Sequence, residues 1–276
     1  MEKIKTIEDI KIEGVKENTI ICGNCLEVLK EIKNESIDLV VTSPPYNVGI
    51  KYDKWNDNKS EKEYRDFTEN WLKEVYRTLK IGGRICLNIP VMGNNPEMKK
   101  SNQYLFHLPQ YLEIIKKNFS LRECLTWIKS YVEYNENVFC GGNTVWGSYL
   151  SPSNPFCRSF SEFIIVAYKE YPNLQNKGET DLTKEEFLKF TKNVWFFPSE
   201  QNREHPAPFP EELPRRCIKL YSWIGATILD PFVGWGTTAL VAAKLNRKYI
   251  GIDISEKYCR QAEERIRIYT SQKKLL

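Results

Sequence analysis

Residues 225–253 constrain the fold more than any other stretch of the chain. They read Gly-Ala-Thr-Ile-Leu-Asp-Pro-Phe-Val-Gly-Trp-Gly-Thr-Thr, then the helix-like Ala239-Leu240-Val241-Ala242-Ala243-Lys244-Leu245, then Lys248-Tyr249-Ile250-Gly251-Ile252-Asp253. An apolar run, a glycine turn, a helix, a second apolar run and a closing acid form a βαβ unit of the nucleotide-binding kind. The remaining sequence keeps the same alternation. Strands are expected at 19–22, 37–41, 83–89 and 121–129, and helices at 25–32, 61–79, 104–118, 210–222 and 256–267. Tyr64, Phe67, Trp71, Leu72, Val75 and Leu79 fall at helical spacing, and Gly82-Gly83 reads as the stop of that helix. The run 162–169 should be an antiparallel edge strand. The fold class is therefore α/β: a doubly wound, mostly parallel sheet in a single domain, 1–276, with a small inserted region.

The glycine turn departs from the dinucleotide Gly-x-Gly-x-x-Gly. Gly234 and Gly236 let the backbone approach a ligand where a Cβ would collide, and Asp253 is placed to accept from ribose hydroxyls. Asp230 ends the first strand, and Thr237-Thr238 stand where the third glycine would be. An acid there repels a pyrophosphate but suits the amino and sulfonium cations of S-adenosylmethionine. A second corner follows the run 37–41: Ser43-Pro44-Pro45-Tyr46. Two prolines fix φ and remove two donors, so the Ser43 and Pro44 carbonyls are presented as acceptors. Tyr46 adds a flat face beside them, the pairing that suits a planar base with an exocyclic amino group. A strand-ending proline turn with a buried tyrosine is the alternative.

Taken together, the two corners make the chain resemble, over nearly its whole length, the amino-group DNA methyltransferases of the permuted β class. Ser43–Tyr46 matches that family's catalytic motif and 230–238 its cofactor motif; His205-Pro206-Ala207-Pro208-Phe209-Pro210-Glu211-Glu212-Leu213-Pro214 matches a segment that cups the methionine end of the cofactor. The order, catalytic motif first, is the permutation. The resemblance implies the S-adenosylmethionine-dependent methyltransferase fold and catalytic Ser43, Pro44, Pro45 and Tyr46. It implies cofactor contacts from Asp230, Phe232, Gly234, Gly236, Thr237, Thr238 and Asp253, from Pro206, Ala207 and Phe209, and from Asn24 near the adenine amino edge, where the family commonly has Asp. It further implies double-stranded DNA as partner and a cognate restriction endonuclease.

An exocyclic amino nitrogen is a poor nucleophile because its lone pair is delocalised into the ring. Ser43 Oγ and the Pro44 carbonyl would draw its hydrogens, Tyr46 would stack on the base, and the base must leave the duplex. Serine in the first motif position leans, within that family, toward the N4 of cytosine, with the N6 of adenine as alternative. The loop 146–155 also resembles cytosine-N4 members. Residues 132–158 are assigned to the rim of the base pocket and 170–200 to target recognition, aided by 91–103.

Composition excludes little. With 276 residues and 41% hydrophobic content the chain can bury a sizeable core, and no apolar run or export pattern marks a membrane or secreted protein, so a cytoplasmic location is expected. Forty Lys plus Arg against 36 Asp plus Glu give +4, compatible with a nucleic-acid partner but no argument for one. Cys22-Gly23-Asn24-Cys25 lacks a second ligand pair, so no metal is expected. No Pro-Cys pair of the carbon-5 cytosine enzymes occurs, so no covalent enzyme–base bond is expected. A non-catalytic cofactor-dependent DNA-binding protein, a nicotinamide dehydrogenase, and RNA or protein as acceptor are the competing readings.

Overall fold

Alternation along residues 37–42 decides where the core lies. Leu39 and Val41 face one side of the sheet and Val40 the other, all fully buried. A strand buried on both faces needs helices on both. The computed structural model describes residues 4–91, 106–129, 150–153, 160–200 and 206–273. Among them the strands are β1 (Lys5–Thr6), β2 (Thr19–Cys22), β3 (Ile37–Thr42), β4 (Leu79–Ile89), β5 (Ser120–Ile128), β6 (Ser161–Tyr168), β7 (Val194–Phe196), β8 (Thr227–Asp230) and β9 (Lys248–Asp253). The helices are α1 (Ile7–Glu13), α2 (Cys25–Glu31), α3 (Glu61–Thr78), α4 (His107–Ile115), α5 (Lys184–Phe190), α6 (Glu212–Tyr221), α7 (Thr237–Lys244) and α8 (Glu256–Lys273).

The strands form one sheet in the order β1-β2-β9-β8-β3-β4-β6-β5-β7. From β1 to β4 every pairing is parallel; β6 is antiparallel to both β4 and β5, and β7 pairs parallel with β5. Helices α1 to α4 cover the Val40 face, packing Val28, Leu72 and Tyr111 on Ile85, Leu87 and Ile165. Helices α6 and α7 cover the Leu39 face, and α8 packs Cys259, Ala262 and Ile266 against Ile20, Val233 and Leu240. Local chemistry sets the ends. Ser60 and Glu63 close a reciprocal capping box at the start of α3, and Thr183 and Glu186 do the same for α5. No helix among the described residues is long and apolar enough to cross a membrane.

Two expectations need correction. The antiparallel strand is present, but it lies inside the sheet, because β5 and β7 add beyond it. Gly82-Gly83 does not stop α3: the helix ends at Thr78 and both glycines belong to β4. Their role is close approach, since a Cβ on Gly82 (φ +76°) would lie 2.1 Å from Asn173 O, and one on Gly83 2.8 Å from Lys80 O. The segment 170–200, assigned to target recognition, contributes β7 to the sheet beside β5, and Glu186 of α5 accepts from Lys219 Nζ of α6 at 2.6 Å.

Candidate active site

Strands β3 and β8 are neighbours, with Leu39 opposite Ile228 and Val40 opposite Leu229. From β3 the chain crosses through α3 to β4 on one side; from β8 it crosses through α7 to β9 on the other. Diverging crossovers leave a crevice at the carboxyl ends, the general binding place of open α/β sheets. A cavity of about 370 Å³ occupies it. Ser43, Pro44, Pro45 and Tyr46, leaving β3, form one wall. Phe232, Gly234 and Thr237 from the glycine turn, Asp253 and Asn24, and Pro206, Ala207 and Phe209 form the others. His205 and most of 91–103 and 132–158 lie outside the described residues.

Three expected cofactor residues do not line the cavity. Asp230 is 1% exposed and sits behind the turn, where its Oδ1 accepts from Thr42 Oγ1 at 2.6 Å and from Phe232 N at 3.1 Å. Burial pushes its carboxyl up to about 6. The acid thus ties the two corners together instead of facing a ligand. Thr238, buried beside it, donates to Val41 O at 3.3 Å and repeats the tie. Gly236 is the left-handed N-cap of α7 (φ +84°), and a Cβ there would meet Ala262 Cβ at 2.6 Å; the missing side chain admits α8, not a ligand. Gly234 (φ +46°) does face the cavity, and its N–H donates to Asp253 Oδ2 at 3.0 Å.

Asp253 closes the far side. Its Oδ1 accepts from Ser255 N at 2.8 Å, and burial again pushes the carboxyl up to about 6. Both oxygens are oriented by one backbone donor each and keep lone pairs for ligand hydroxyls. Asn24 caps α2 through Oδ1, accepting from Leu26 N at 3.0 Å while lining the cavity.

Sequence reasoning missed a strap, residues 47–59. Asp57, 3% exposed, accepts from Asn47 N (2.8 Å), Val48 N (3.0 Å) and Ile50 N (3.0 Å), and Asn47 pairs twice with the Lys59 backbone. Asp53 holds Ser255 Oγ at 2.6 Å. The strap so pinned brings Ile50, Tyr52 and Trp55 to the cavity, where the Trp55 ring packs tilted against Phe67 (centroids 4.6 Å) and Phe67 tilted against Phe232 (5.9 Å). Also missed was a polar chain beneath Tyr46. Ser43 Oγ lies 2.6 Å from the Tyr46 hydroxyl, whose proton faces Glu162 Oε2 at 3.4 Å and Asn88 O at 3.3 Å and whose oxygen accepts from Asn88 Nδ2 at 3.0 Å. Asn88 Nδ2 also donates to Glu162 Oε2 at 2.6 Å, and Lys129 Nζ holds Glu162 Oε1. Burial, then the charge of Glu162, hold the Tyr46 phenol well above its ordinary range. Glu162 reaches the site because β6 is antiparallel: it presents its beginning where β4 and β5 present their ends.

Residues 37–264 match the N6/N4 methyltransferase family, whose members are DNA methylases. This chain belongs to that family. As a DNA methylase it uses S-adenosylmethionine as methyl donor. It is 39% identical over 198 residues to the Type II methyltransferase M.MjaVI of Methanocaldococcus jannaschii, covering 70% of this chain and 91% of that one. It is 30% identical over 258 residues to M.HpaI of Haemophilus parainfluenzae, covering 90% and 73%. Among solved structures, TTHA0409 of Thermus thermophilus in complex with S-adenosyl-L-methionine superposes with a TM-score of 0.68 at 26% identity, covering 90% of this chain and 92% of the other. The PvuII DNA methyltransferase (cytosine-N4-specific) shares the fold, with a TM-score of 0.68 at 21% identity and coverage of 91% and 87%. The cavity fits the donor: it lies in the size range of small-molecule sites and offers aromatic walls at Phe232 and Phe209 and fixed acceptors at Asp253. Bound there, S-adenosylmethionine supplies an electrophilic methyl carbon on a sulfonium.

Proposed function

We propose that the methylase modifies the exocyclic N4 amino group of a cytosine flipped out of duplex DNA, and that it is a permuted, β-class enzyme. One observation carries the reading: the Ser43–Tyr46 corner and the Gly234 turn wall the same cavity, hydrogen-bonded together through Thr42 and Asp230. In this reading Ser43 Oγ and the Pro44 carbonyl accept the amino hydrogens, drawing the nitrogen lone pair out of conjugation. Pro45 stiffens the corner, and its carbonyl is already engaged by the Tyr64 hydroxyl at 2.9 Å. The Tyr46 ring supplies the stacking face that offsets part of the cost of flipping, roughly a few kcal/mol. Holding amine and methyl carbon in line contributes about 7–11 kcal/mol of the barrier reduction. Asp253, Gly234, Asn24, Thr237, Phe232 and the Pro206–Phe209 segment hold the cofactor.

A serine hydroxyl is a smaller and weaker acceptor than a carboxylate, which suits the more confined pyrimidine and favours cytosine over adenine. Segments 132–158 and 170–200 take the pocket rim and the target sequence, and a restriction endonuclease reading the same site is the natural partner of a Type II enzyme. Mass analysis of nucleosides from unmethylated bacteriophage DNA, incubated with the protein and S-adenosylmethionine, tests the choice of base. N4-methylcytosine is the expected product; N6-methyladenine alone overturns the assignment.

A further inference from the structure

A serine as amine acceptor leaves a chemical deficit. After methyl transfer the nitrogen must lose a proton, and a serine hydroxyl neither keeps one nor carries charge to attract it. The molecule places a carboxylate two hydrogen bonds away. From Ser43 Oγ the path runs 2.6 Å to the Tyr46 hydroxyl and 3.4 Å from there to Glu162 Oε2. Asn88 braces it from the side, its Nδ2 donating to the Tyr46 hydroxyl at 3.0 Å and to Glu162 Oε2 at 2.6 Å. An ionised carboxylate only accepts, so the amide nitrogen is the atom facing Glu162, and its lone pairs are filled from Asn88 and Tyr46 on one oxygen and Lys129 on the other.

We infer that Glu162 is the terminal proton acceptor of the methylation reaction, acting on the target amine through Tyr46 and Ser43. This rests on the assignment of Ser43 as the amine's acceptor. As the amine lone pair forms the new N–C bond, the methyl–sulfur bond breaks with its electrons left on sulfur. An amine proton passes to Ser43 Oγ, the Ser43 proton to the Tyr46 oxygen, and the Tyr46 proton to Glu162, which becomes a neutral acid and later releases the proton to water. The products are a methylated amine and a neutral thioether, and charge balances: a cation and a carboxylate disappear together. Tyr46 stays a neutral conduit, since burial and the nearby carboxylate keep its phenol protonated. The carboxylate that Ser43 itself lacks is thereby supplied from β6.

Glu162 is thus a positioning residue, and its loss should slow chemistry without weakening binding. The test uses single-turnover methyl transfer from labelled S-adenosylmethionine to unmethylated bacteriophage DNA, on preformed complexes, with cofactor and DNA affinities measured separately. Glu162→Gln and Tyr46→Phe are each expected to lower the rate about 100-fold, the usual scale of a proton acceptor, with affinities changed less than about threefold. The double variant should be no slower than the slower single variant by more than about threefold, because both cut one path. A Glu162→Gln rate within about threefold of wild type, or losses that multiply to about 10⁴-fold, overturns the relay. Should Glu162→Gln fail to fold, Tyr46→Phe decides alone by the same threshold. Ser43→Ala separates the two layers: if it keeps the wild-type rate, the acceptor assignment itself falls; if it loses activity while Glu162→Gln does not, only the relay falls.

Discussion

Replacing Gly236 by alanine separates two roles that a glycine in a cofactor turn can have. The residue sits at φ +84°, and an added methyl would lie 2.6 Å from Ala262 Cβ and 2.8 Å from its Cα. Ala262 is fully buried in the α8 interface, so the helix must retreat by about 1 Å to restore ordinary carbon contact at roughly 3.5–4 Å. Left-handed backbone on a residue with a Cβ costs about 1–2 kcal/mol. Overpacking of this kind adds about 1–3 kcal/mol. The sum, about 2–5 kcal/mol, lowers the melting temperature by about 4–20 °C at roughly 2–4 °C per kcal/mol. Scanning calorimetry measures that loss, and titration calorimetry well below the transition measures S-adenosylmethionine affinity. The expected outcome is a lower melting temperature with affinity within about threefold of wild type. An unchanged melting temperature with affinity weakened tenfold or more, about 1.4 kcal/mol, would make Gly236 a ligand contact and refute the packing argument.

Two further perturbations follow from the site. Burial raises the Asp230 and Asp253 carboxyls from 3.8 to about 6, so the folded protein binds more protons than the unfolded chain between those values. Their contribution to stability is therefore full below about pH 4 and lost as pH rises through about 6. Cofactor affinity should run the opposite way, weakening as pH falls through about 6 and the Asp253 carboxylate is neutralised; titration calorimetry from pH 5 to 8 checks it, and an Asp253→Asn variant should show a flattened profile. Asp57→Ala removes the acceptor of three backbone N–H groups in the strap, for about 2–4 kcal/mol given partial access of water. It should lower the melting temperature and weaken cofactor binding together, since Ile50, Tyr52 and Trp55 lose their placement; a variant normal in both would show that the strap is not held by Asp57.

Much of this was legible because parallel α/β sheets put ligands at strand ends, and strand ends are where Pro-Pro and Gly-x-Gly punctuate the sequence. Ser43–Tyr46 and Gly234 could be read from residue type alone. Asp230 and Gly236 could be found but not interpreted: an acid at a strand end and a glycine in a turn look alike in sequence whether they face a ligand or a neighbouring helix. Only the packing of Ala262 and the bond to Thr42 tell the difference. Glu162 was hidden for a topological reason. In a parallel strand the first residue points away from the site; the run 162–169 could be read as antiparallel, but nothing in Ser-Glu-Phe-Ile-Ile-Val announces that it lies two strands in from the edge, between β4 and β5, with Glu162 at the site. Asp57 was hidden because its partners are backbone N–H groups, which leave no mark in side-chain pattern.

Tyr46→Ala probes the shared cleft most directly, because the residue stands in the corner that meets the base while the cofactor wall opposite is built from other strands. Cofactor affinity and single-turnover methyl transfer to DNA should be measured on the same preparation. The expected result is affinity within about threefold of wild type and transfer reduced at least about 100-fold, a loss of roughly 2.7 kcal/mol in transition-state stabilisation. Transfer at the wild-type rate would contradict the account, for it would mean that the methyl group is delivered somewhere other than the corner at residues 43–46.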